Sequence, residues 1–340
     1  AAADWAALFL VVLFVIIWLG GPAFLALPLV LKGGPAMSQK KKILLLGGLL
    51  MDRYVRTDQY PNRGEDTLIR EEFLRVGGCP FNAASTLAAL GAEPVVYSAL
   101  GEDEMAREIR RTVEETGLSQ EALYTLPGEQ TGYCMIVLDS QGERTFFTFR
   151  GCEGHFDPGR ISPSLLENTA AIFVTGIYLL YPQWSERAVS FLEQAAGQGI
   201  PILFEPGSLI GEMDLDLRWR VVKTAGIVTP NQWERRELER LLGLESFPRW
   251  IAARGGACIE TKGAQGALLT TEDGERRIPP CRASVVDTTG TGDSFAGGVL
   301  AAVQRGDSLA EAARIGSACG ALAAETVGPC GALSWAVVEE

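Results

Sequence analysis

The sequence predicts an α/β fold with a mainly parallel central sheet flanked by helices and a small antiparallel β lid. Short apolar runs alternate along the chain with segments of helical periodicity, which is typical of parallel strands joined by helices. Two regions, at about 53–75 and 131–150, break this alternation with hairpin-like patterns. Antiparallel hairpins do not belong in a parallel sheet, so they are predicted to form a second, smaller sheet.

The central strands are predicted where several apolar residues follow one another. These runs lie at 43–47, 95–99, 171–175, 201–204, 226–229 and 257–260. The helices are predicted where apolar residues recur every three or four positions. They cover 82–90, 103–116, 186–197, 231–242, 294–303 and 309–325. A strand and then a helix therefore follow each other repeatedly from residue 43 onward.

The second hairpin region has the clearest turn signal. An apolar run from Tyr133 to Leu138 and a run from Thr145 to Phe149 flank a turn of sequence D-S-Q-G. Ligands bind outside the carboxyl ends of the strands in open parallel sheets. A small sheet beside that edge is well placed to act as a lid over the ligand.

Composition limits the classes of partner. The chain has 340 residues, 47% hydrophobic content, a formal net charge of -12 and a pI near 4.8. Nucleic acids and anionic membrane surfaces repel such a protein at long range, so a small molecule is the expected ligand. The seven cysteines include no C-x-x-C pair, and His155 is the only histidine. A zinc site or a redox motif is therefore not indicated, and Ser-His-Asp chemistry would depend on that one histidine.

The first 36 residues differ from the rest of the chain. Residues 5–31 are apolar and uncharged, are interrupted by glycine and proline, and are followed by lysines. One interpretation is a membrane-spanning or re-entrant segment that keeps the following residues in the cytoplasm. The other, which we favour, is an extension that is not native to a cytoplasmic protein beginning at Met37. In both cases residues 37–340 form the domain that carries the function.

The segment 287–298, D-T-T-G-T-G-D-S-F-A-G-G, has the composition of an anion-binding helix start. Gly290, Thr291 and Gly292 expose successive backbone N–H groups where a helix begins, and the helix dipole favours negative charge there. Asp293 follows, and its carboxylate can accept the proton of a substrate hydroxyl. The alternative is that Asp293 only caps the helix. The motif predicts phosphoryl transfer to an alcohol.

Two segments together resemble the signatures of the ribokinase family of carbohydrate kinases, also called the PfkB family. The first is V-G-G-C-P-F-N-A-A at 76–84, and the second is the motif at 287–298. Two long motifs in this order, about 200 residues apart, are far more specific than a single glycine motif. The resemblance extends from Ile43 to about Ala336. It implies a ribokinase-like three-layer α/β/α fold and a kinase that uses ATP and Mg²⁺ to phosphorylate a sugar hydroxyl.

The resemblance gives each matching residue an expected role. Asp293 would be the general base, with the backbone of Gly290, Thr291 and Gly292 as the anion hole. Substrate binding falls to Asp52, Gly77, Gly78, Asn82 and Arg150. Nucleotide binding falls to Asn231, Glu234, Thr261, Gly263, Gly266 and Ala321. Glu234 would also hold Mg²⁺ through water, and Asp287 and Thr289 match positions that help bind a monovalent cation in some relatives, which would be K⁺ here.

Other interpretations of these residues are open. Asp52 can be an ordinary loop carboxylate, Gly77 and Gly78 a simple turn, and Asn231 with Glu234 a helix capping box. Within the same fold, a nucleoside kinase and a non-catalytic sugar sensor are alternatives to a sugar kinase. Relatives form dimers through the lid, and exposed lid edges favour a homodimer here. ATP binding depends on the resemblance alone, because the sequence has no G-x-x-x-x-G-K-[ST] loop.

Two acidic residues depart from the family pattern. Glu153 stands where relatives usually have Asn, in a segment that helps to shape the sugar pocket. Either Glu153 lines the pocket, which disfavours a strongly anionic acceptor, or it points to solvent. Glu205 stands where relatives often have Asp, and because its side chain is longer the predicted catalytic residues do not include it. Lys262, in the predicted nucleotide loop, either contacts a phosphate or faces solvent.

Overall fold

The computed structural model describes residues 41–140, 144–326 and 333–339. The first 36 residues lie outside these ranges, so the two interpretations of that segment and the cytoplasmic location stay predictions. In the described part of the chain, no helix combines the length and the apolar character that crossing a lipid bilayer requires.

The strands and helices of the described residues follow the predicted order. The strands are β1 (Lys42–Leu46), β2 (Leu50–Thr57), β3 (Ile69–Gly77), β4 (Glu93–Leu100), β5 (Leu123–Thr125), β6 (Tyr133–Leu138), β7 (Arg144–Phe149), β8 (Thr169–Thr175), β9 (Ile202–Glu205), β10 (Ile227–Val228), β11 (Ala257–Thr261), β12 (Ala267–Thr271) and β13 (Gly274–Ile278). The helices are α1 (Cys79–Ala89), α2 (Glu104–Glu115), α3 (Pro163–Glu167), α4 (Pro182–Gly197), α5 (Leu215–Thr224), α6 (Gln232–Leu242), α7 (Phe247–Ala252), α8 (Thr291–Arg305), α9 (Leu309–Ala324) and α10 (Trp335–Glu339).

The central sheet of the described residues has nine strands in the order β13-β12-β11-β10-β9-β8-β1-β4-β5. Every neighbouring pair from β11 to β5 is parallel. At one edge, β12 pairs antiparallel with β11, and β13 pairs antiparallel with β12. The predicted central strands are all present, which confirms the mainly parallel α/β architecture. Its carboxyl edge brings the ends of β1, β9, β10 and β11 together.

Strand β1 shows why helices cover both faces of this sheet. Its residues Ile43, Leu44, Leu45 and Leu46 are all fully buried. Ile43 and Leu45 belong to a core cluster that includes residues of α1, α2, α8 and α9. Leu44 and Leu46 belong to a second cluster with residues of α4, α5, α6 and α7. Successive strand side chains point to opposite faces, so a continuous apolar run requires a helix layer on each side.

The lid is a separate sheet in the order β3-β2-β6-β7. β2 pairs antiparallel with β3, and β6 pairs antiparallel with β7, which confirms the two predicted hairpin regions. β2 and β6 at the centre of the lid are parallel, a pairing that the sequence patterns did not indicate. It arises because the chain passes through β4 and β5 of the central sheet before it returns to the lid. The turn residues 141–143 lie outside the described residues.

Close packing of α8 on α9 fixes the position of the predicted anion-binding helix start. A Cβ atom on Gly298 would lie 2.7 Å from Sγ of Cys319. One on Gly316 would lie 2.8 Å from the carbonyl oxygen of Phe295. Glycine at both positions lets the two helix backbones approach each other within a close-packed core.

Candidate active site

A cavity of about 400 Å³ lies at the carboxyl edge of the central sheet. Its wall includes the ends of three strands: Glu205 is the last residue of β9, Thr229 follows β10, and Thr261 is the last residue of β11. Thr291 and Gly292 come from the first turn of α8. Strand ends next to a helix N-terminus are where α/β proteins bind phosphorylated ligands.

The residues predicted to bind the nucleotide lie together in this wall. They are Asn231, Glu234, Thr261, Gly263, Gly266 and Ala321. Gly266 has a φ of 83°, and a Cβ atom there would lie 2.1 Å from the carbonyl oxygen of Ile278, so the loop requires glycine. Nζ of Lys262 lies 3.2 Å from Oε2 of the buried Glu260. The lysine of the predicted nucleotide loop is therefore engaged with a neighbouring carboxylate.

Asn231 and Glu234 form a capping box at the start of α6. Oδ1 of Asn231 accepts from the amide of Glu234, and Oε2 of Glu234 accepts from the amide of Asn231, both at 2.9 Å. Burial raises the pKa of Glu234, the hydrogen bond from Asn231 opposes that rise, and the charge of Asp293 adds to it. Asn231 and Glu234 therefore form a capping box and also line the cavity.

Gly290 is the N-cap residue of α8, with a left-handed backbone at a φ of 75°. A Cβ atom there would lie 2.7 Å from Nδ2 of Asn82, so the Asn82 side chain packs directly on the turn. The amides of the first turn, including those of Gly292 and Asp293, have no acceptor within the helix. With the helix dipole, they make this turn suitable for a phosphate. Because Gly290 holds the N-cap position, Asp293 is not the cap.

Asp293 is a buried carboxylate held by residues of α1. Its exposure is 7%, and Nδ2 of Asn82 donates to its Oδ2 at 2.8 Å. Burial raises the pKa of Asp293, while hydrogen bonds from Asn82 and from the thiol of Cys79 oppose the rise. A carboxylate with a raised pKa and a fixed orientation has the properties of a general base. Asn82, predicted to bind substrate, is thus a direct partner of the predicted base.

Glu205 belongs to this site, although the catalytic residues predicted from the sequence did not include it. A Cβ atom on Gly292 would lie 2.7 Å from Oε1 of Glu205, so the carboxyl group packs against the first turn of α8. Burial raises the pKa of Glu205 well above its ordinary value, and the charges of Asp293 and Glu234 raise it further. The sequence signal that could have identified Glu205 is its position directly after a buried strand, at the edge of the sheet where ligands bind.

Two buried oxygens of the cavity wall have no hydrogen-bond partner among the described residues. They are Oε2 of Glu205 and Oγ1 of Thr229, and Glu234 lines the same cavity. Mg²⁺ binds through one or two carboxylates, keeps several waters and contacts substrate phosphates. These residues fit that mode of binding. In the ranges that the structure describes, no cluster of three or more His, Cys, Asp or Glu forms a metal site from protein groups alone.

Asp52 and a glycine pair lie near Asp293 but outside the lining of the cavity. A Cβ atom on Gly77 would lie 2.0 Å from Oδ2 of Asp52, so the carboxylate lies directly over the glycine backbone. Gly78 has a φ of 102°, and a Cβ atom there would lie 2.2 Å from the carbonyl oxygen of Gly48. Burial, followed by the charges of Asp293 and two other carboxylates, raises the pKa of Asp52 to about 7. The predicted substrate residues are thus close to the predicted base.

Glu153 points into the protein, with an exposure of 6%. Its Oε1 accepts from the hydroxyl of Tyr181 at 3.1 Å, and its carboxylate lies against the backbone of Gly48. Burial raises the pKa of Glu153 to about 7, and Tyr181 and Arg150 oppose the rise. Cζ of Arg150 lies 5.0 Å from the centroid of the Tyr181 ring. The solvent-facing interpretation of Glu153 is therefore wrong.

Asp287 and Thr289 lie in the turn that precedes α8. Oδ1 of Asp287 accepts from the amide of Thr289 at 2.8 Å. The same oxygen lies 3.0 Å from Nη2 of Arg144, the first residue of β7. Asp287 is almost completely buried, at 2% exposure. A lid arginine therefore provides positive charge next to this carboxylate.

These features define a small-molecule phosphotransferase, in which a helix start suited to phosphate is close to a cavity of about 400 Å³ and to a second group of acidic side chains. The fold is the parallel α/β sheet with a lid. The chain belongs to the pfkB family of carbohydrate kinases, whose family model matches residues 40–336. It is a kinase of the class that uses ATP to phosphorylate sugars or nucleosides, which confirms the predicted family and enzyme class.

Curated relatives and solved structures are similar over most of the chain. The uncharacterized sugar kinase YegV of Escherichia coli is 27% identical over 289 residues, covering 84% of this chain and 88% of that protein. The ATP-dependent ribose-1-phosphate kinase of Halopiger xanaduensis is 26% identical over 290 residues, covering 83% and 92%.

Two nucleoside kinase structures share the fold. That of Methanocaldococcus jannaschii superposes with a TM-score of 0.76 at 22% identity, covering 89% of this chain and 98% of that one. That of Burkholderia thailandensis, in complex with inosine, has a TM-score of 0.74 at 25% identity, covering 87% and 94%.

Proposed function

We propose that this kinase transfers the γ-phosphoryl group of ATP to a hydroxyl of an uncharged sugar, with Asp293 as the general base. The observation that carries this proposal is the environment of Asp293. Its carboxylate is buried, is held by Asn82 at 2.8 Å and belongs to the first turn of α8. The cavity reaches Gly292, and Asp52 lies close enough to Asp293 for the Asp293 charge to raise its pKa.

In the proposed reaction, Asp293 accepts the proton of the acceptor hydroxyl while the hydroxyl oxygen attacks the γ-phosphorus. The new O–P bond forms as the bond from that phosphorus to the bridging oxygen breaks, and ADP leaves. The backbone amides of Gly290 and Gly292 donate to the transferring phosphoryl group, where they stabilise its negative charge, while the Thr291 amide donates to the carbonyl oxygen of Thr288. Mg²⁺ held by Glu205, Thr229 and Glu234 would supply further neutralisation of the phosphate charge.

An uncharged acceptor is proposed because the acceptor side is acidic. Asp52 is half-buried and Glu153 is buried there, and Glu153 contributes to the raised pKa of Asp52. Negative groups on an acceptor would be repelled by these carboxylates. A carboxylate such as Asp52 can instead accept hydrogen bonds from two neighbouring hydroxyls. Ribose-1-phosphate, named as the substrate of the Halopiger relative, is therefore expected to be a poor acceptor.

A nucleoside is the second candidate acceptor. The similarity to the Burkholderia nucleoside kinase, solved with inosine, favours it. A nucleoside is also uncharged and presents ribose hydroxyls, so Asp52 and Asp293 would have the same roles toward it.

The test is release of ADP by the purified chain with ATP and Mg²⁺ in the presence of hexoses, pentoses, nucleosides, keto sugar acids and ribose-1-phosphate. We expect turnover with one uncharged class, and a loss of about a hundredfold or more in Asp293→Asn. Asp273→Asn, at an exposed turn, is the matched control. Equal activity of Asp293→Asn and the wild type would remove Asp293 as the base. ATP binding without turnover on any acceptor would favour the sensor alternative.

A homodimer through the lid is also proposed. Leu74, Arg53, Met135 and Phe147 lie opposite one another across the four lid strands and therefore share one face. Leu74 and Phe147 are 55% and 49% exposed. The neighbouring residue Tyr54 points to the other face, toward the active site. Exposed apolar side chains on the outer face of a sheet with free edges suit a second copy of the same lid.

A further inference from the structure

Arg144 joins the lid to the turn that precedes the anion-binding helix. Its Nη2 lies 3.0 Å from Oδ1 of Asp287, and the two side chains are 21% and 3% exposed. The same oxygen accepts from the amide of Thr289 at 2.8 Å. A buried carboxylate needs a partner charge and hydrogen bonds, and here a lid residue supplies the charge.

A second lid strand contacts the same turn. Tyr54 of β2 is buried at 5% exposure. Burial, followed by the charges of Asp52 and Asp287, raises its pKa, and the nearby side chain of Thr289 opposes the rise. Its ring stacks on Phe73 of β3, with centroids 4.8 Å apart. Residues from β2 and β7 therefore hold the segment 287–289, which ends immediately before Gly290.

The residues present do not fit the monovalent cation that the family resemblance implied at Asp287 and Thr289. The guanidinium of Arg144 already lies against the Asp287 carboxylate, and the side chain of Asp287 is 3% exposed. A second positive ion beside Asp287 would be repelled by the positive charge of the guanidinium.

We propose that Arg144 is a positioning residue that takes the place of a monovalent cation at Asp287 and fixes the turn before the anion hole when the lid is closed. This inference rests on the proposed function, because it concerns the same anion hole. It has two consequences. The kinase turns over without K⁺, and the lid completes the phosphate site as it closes over the acceptor, since Asp52 and Arg144 belong to the same lid sheet.

The first test compares rates in tetramethylammonium chloride and in potassium chloride, with an acceptor active in the panel above. We expect equal rates for the wild type. Arg144→Met should lower kcat by about tenfold or more, as loss of anion-hole order does, and leave the KM for the acceptor within about threefold. Arg56→Met is the matched control, because Arg56 pairs with Glu71 within the lid itself. A wild type that requires K⁺ would overturn the proposal.

The second test does not depend on turnover. Hydrogen exchange of the amides at 288–292 should be faster in Arg144→Met than in the wild type or in Arg56→Met. Arg144→Lys should recover most of the protection, since it keeps the charge. If these amides exchange equally in all four proteins, Arg144 does not position the turn. If no acceptor is phosphorylated, the proposed function fails while the exchange result still decides the role of Arg144.

Discussion

Four acidic side chains lie around the acceptor side, and each has a different environment. Asp52 is half-buried, and Glu153, Asp287 and Asp293 are buried. Asp287 pairs with a lid arginine, and Asp293 accepts from an asparagine amide. Asp52 and Glu153 are less well compensated, and burial raises the pKa of each to about 7. Burying carboxylates this way destabilises a fold at neutral pH, so we infer that binding an acceptor is the reason for their position.

Glu153→Gln should stabilise the protein above neutral pH and have little effect near pH 4. The pKa of Glu153 is about 7 in the folded protein against an ordinary value of 4.5, so the folded protein keeps a proton that the unfolded chain releases between these values. Stability therefore falls as pH rises through this window, by up to about 3 kcal/mol for this group. Glutamine removes this loss and still accepts from Tyr181.

Urea unfolding at pH 4 and at pH 8.5 measures this effect. Glu272→Gln, in the exposed turn between β12 and β13, is the control and should leave the free energy of unfolding unchanged at both pH values. The same difference between Glu153→Gln and the wild type at both pH values would contradict the pKa argument and indicate a packing effect.

Asn82→Ala should slow turnover and move the acid limb of the pH profile of kcat/KM upward. Asn82 donates to Oδ2 of Asp293 at 2.8 Å, and this bond opposes the rise of the Asp293 pKa. Without the bond, the pKa of Asp293 rises further, so the base is protonated over more of the acid range. We expect kcat to fall by about tenfold or more.

Ser85→Ala is the control for that profile. Ser85 lies in the same helix, and its Oγ donates only to the carbonyl oxygen of Phe81, at 2.8 Å in the structure. An acid limb that is unchanged in Asn82→Ala would mean that another group, and not Asp293, limits the rate at low pH.

At the scale of elements, the sequence patterns predicted the strands better than they predicted the functional residues. The run at 43–47 predicted β1 because buried parallel strands are continuous apolar segments. The same pattern ended one residue before Glu205, and the departure from the family's Asp argued against that residue. Gly292 has no Cβ atom and therefore leaves room for the longer side chain of Glu205. A pattern in the sequence around Glu205 cannot show a contact with a residue so far along the chain.

Gly316→Ala should destabilise the protein although alanine favours helices. A Cβ atom at this position in α9 would lie 2.8 Å from the carbonyl oxygen of Phe295, so α8 and α9 would have to separate. Overpacking of this kind costs about 1–3 kcal/mol, more than the gain in helix propensity of about 1 kcal/mol. Denaturant unfolding measures the difference in free energy of unfolding between Gly316→Ala and the wild type.

Gly197→Ala in α4 is the matched control. Nothing lies within 4 Å of the Cβ atom that alanine would add, so the substitution changes only helix propensity. The Gly197→Ala protein should therefore be slightly more stable than the wild type. A stabilised Gly316→Ala protein would mean that the helix pair tolerates a wider separation.

At the scale of the molecule, the site joins parts of the chain that are far apart in sequence. Asn82 and Asp293, 211 positions apart, are in direct contact. Periodicity and composition predict each element but not which distant elements meet, so the grouping of these residues came from the family resemblance. The lid shows the same limit, because the parallel pairing of β2 with β6 depends on the path of the chain between them.

The outer face of the lid should mediate a dimer that Phe147→Glu breaks. Phe147 is 49% exposed, and its row across the sheet continues through Met135 and Arg53 to Leu74, which is 55% exposed. A charge introduced there would be buried without a partner in the dimer, which is strongly unfavourable. Light scattering after size exclusion should give twice the chain mass for the wild type and the single mass for Phe147→Glu. Val337→Glu, at an exposed site on α10, is the control. A wild type that stays monomeric at micromolar concentration would contradict the lid interface.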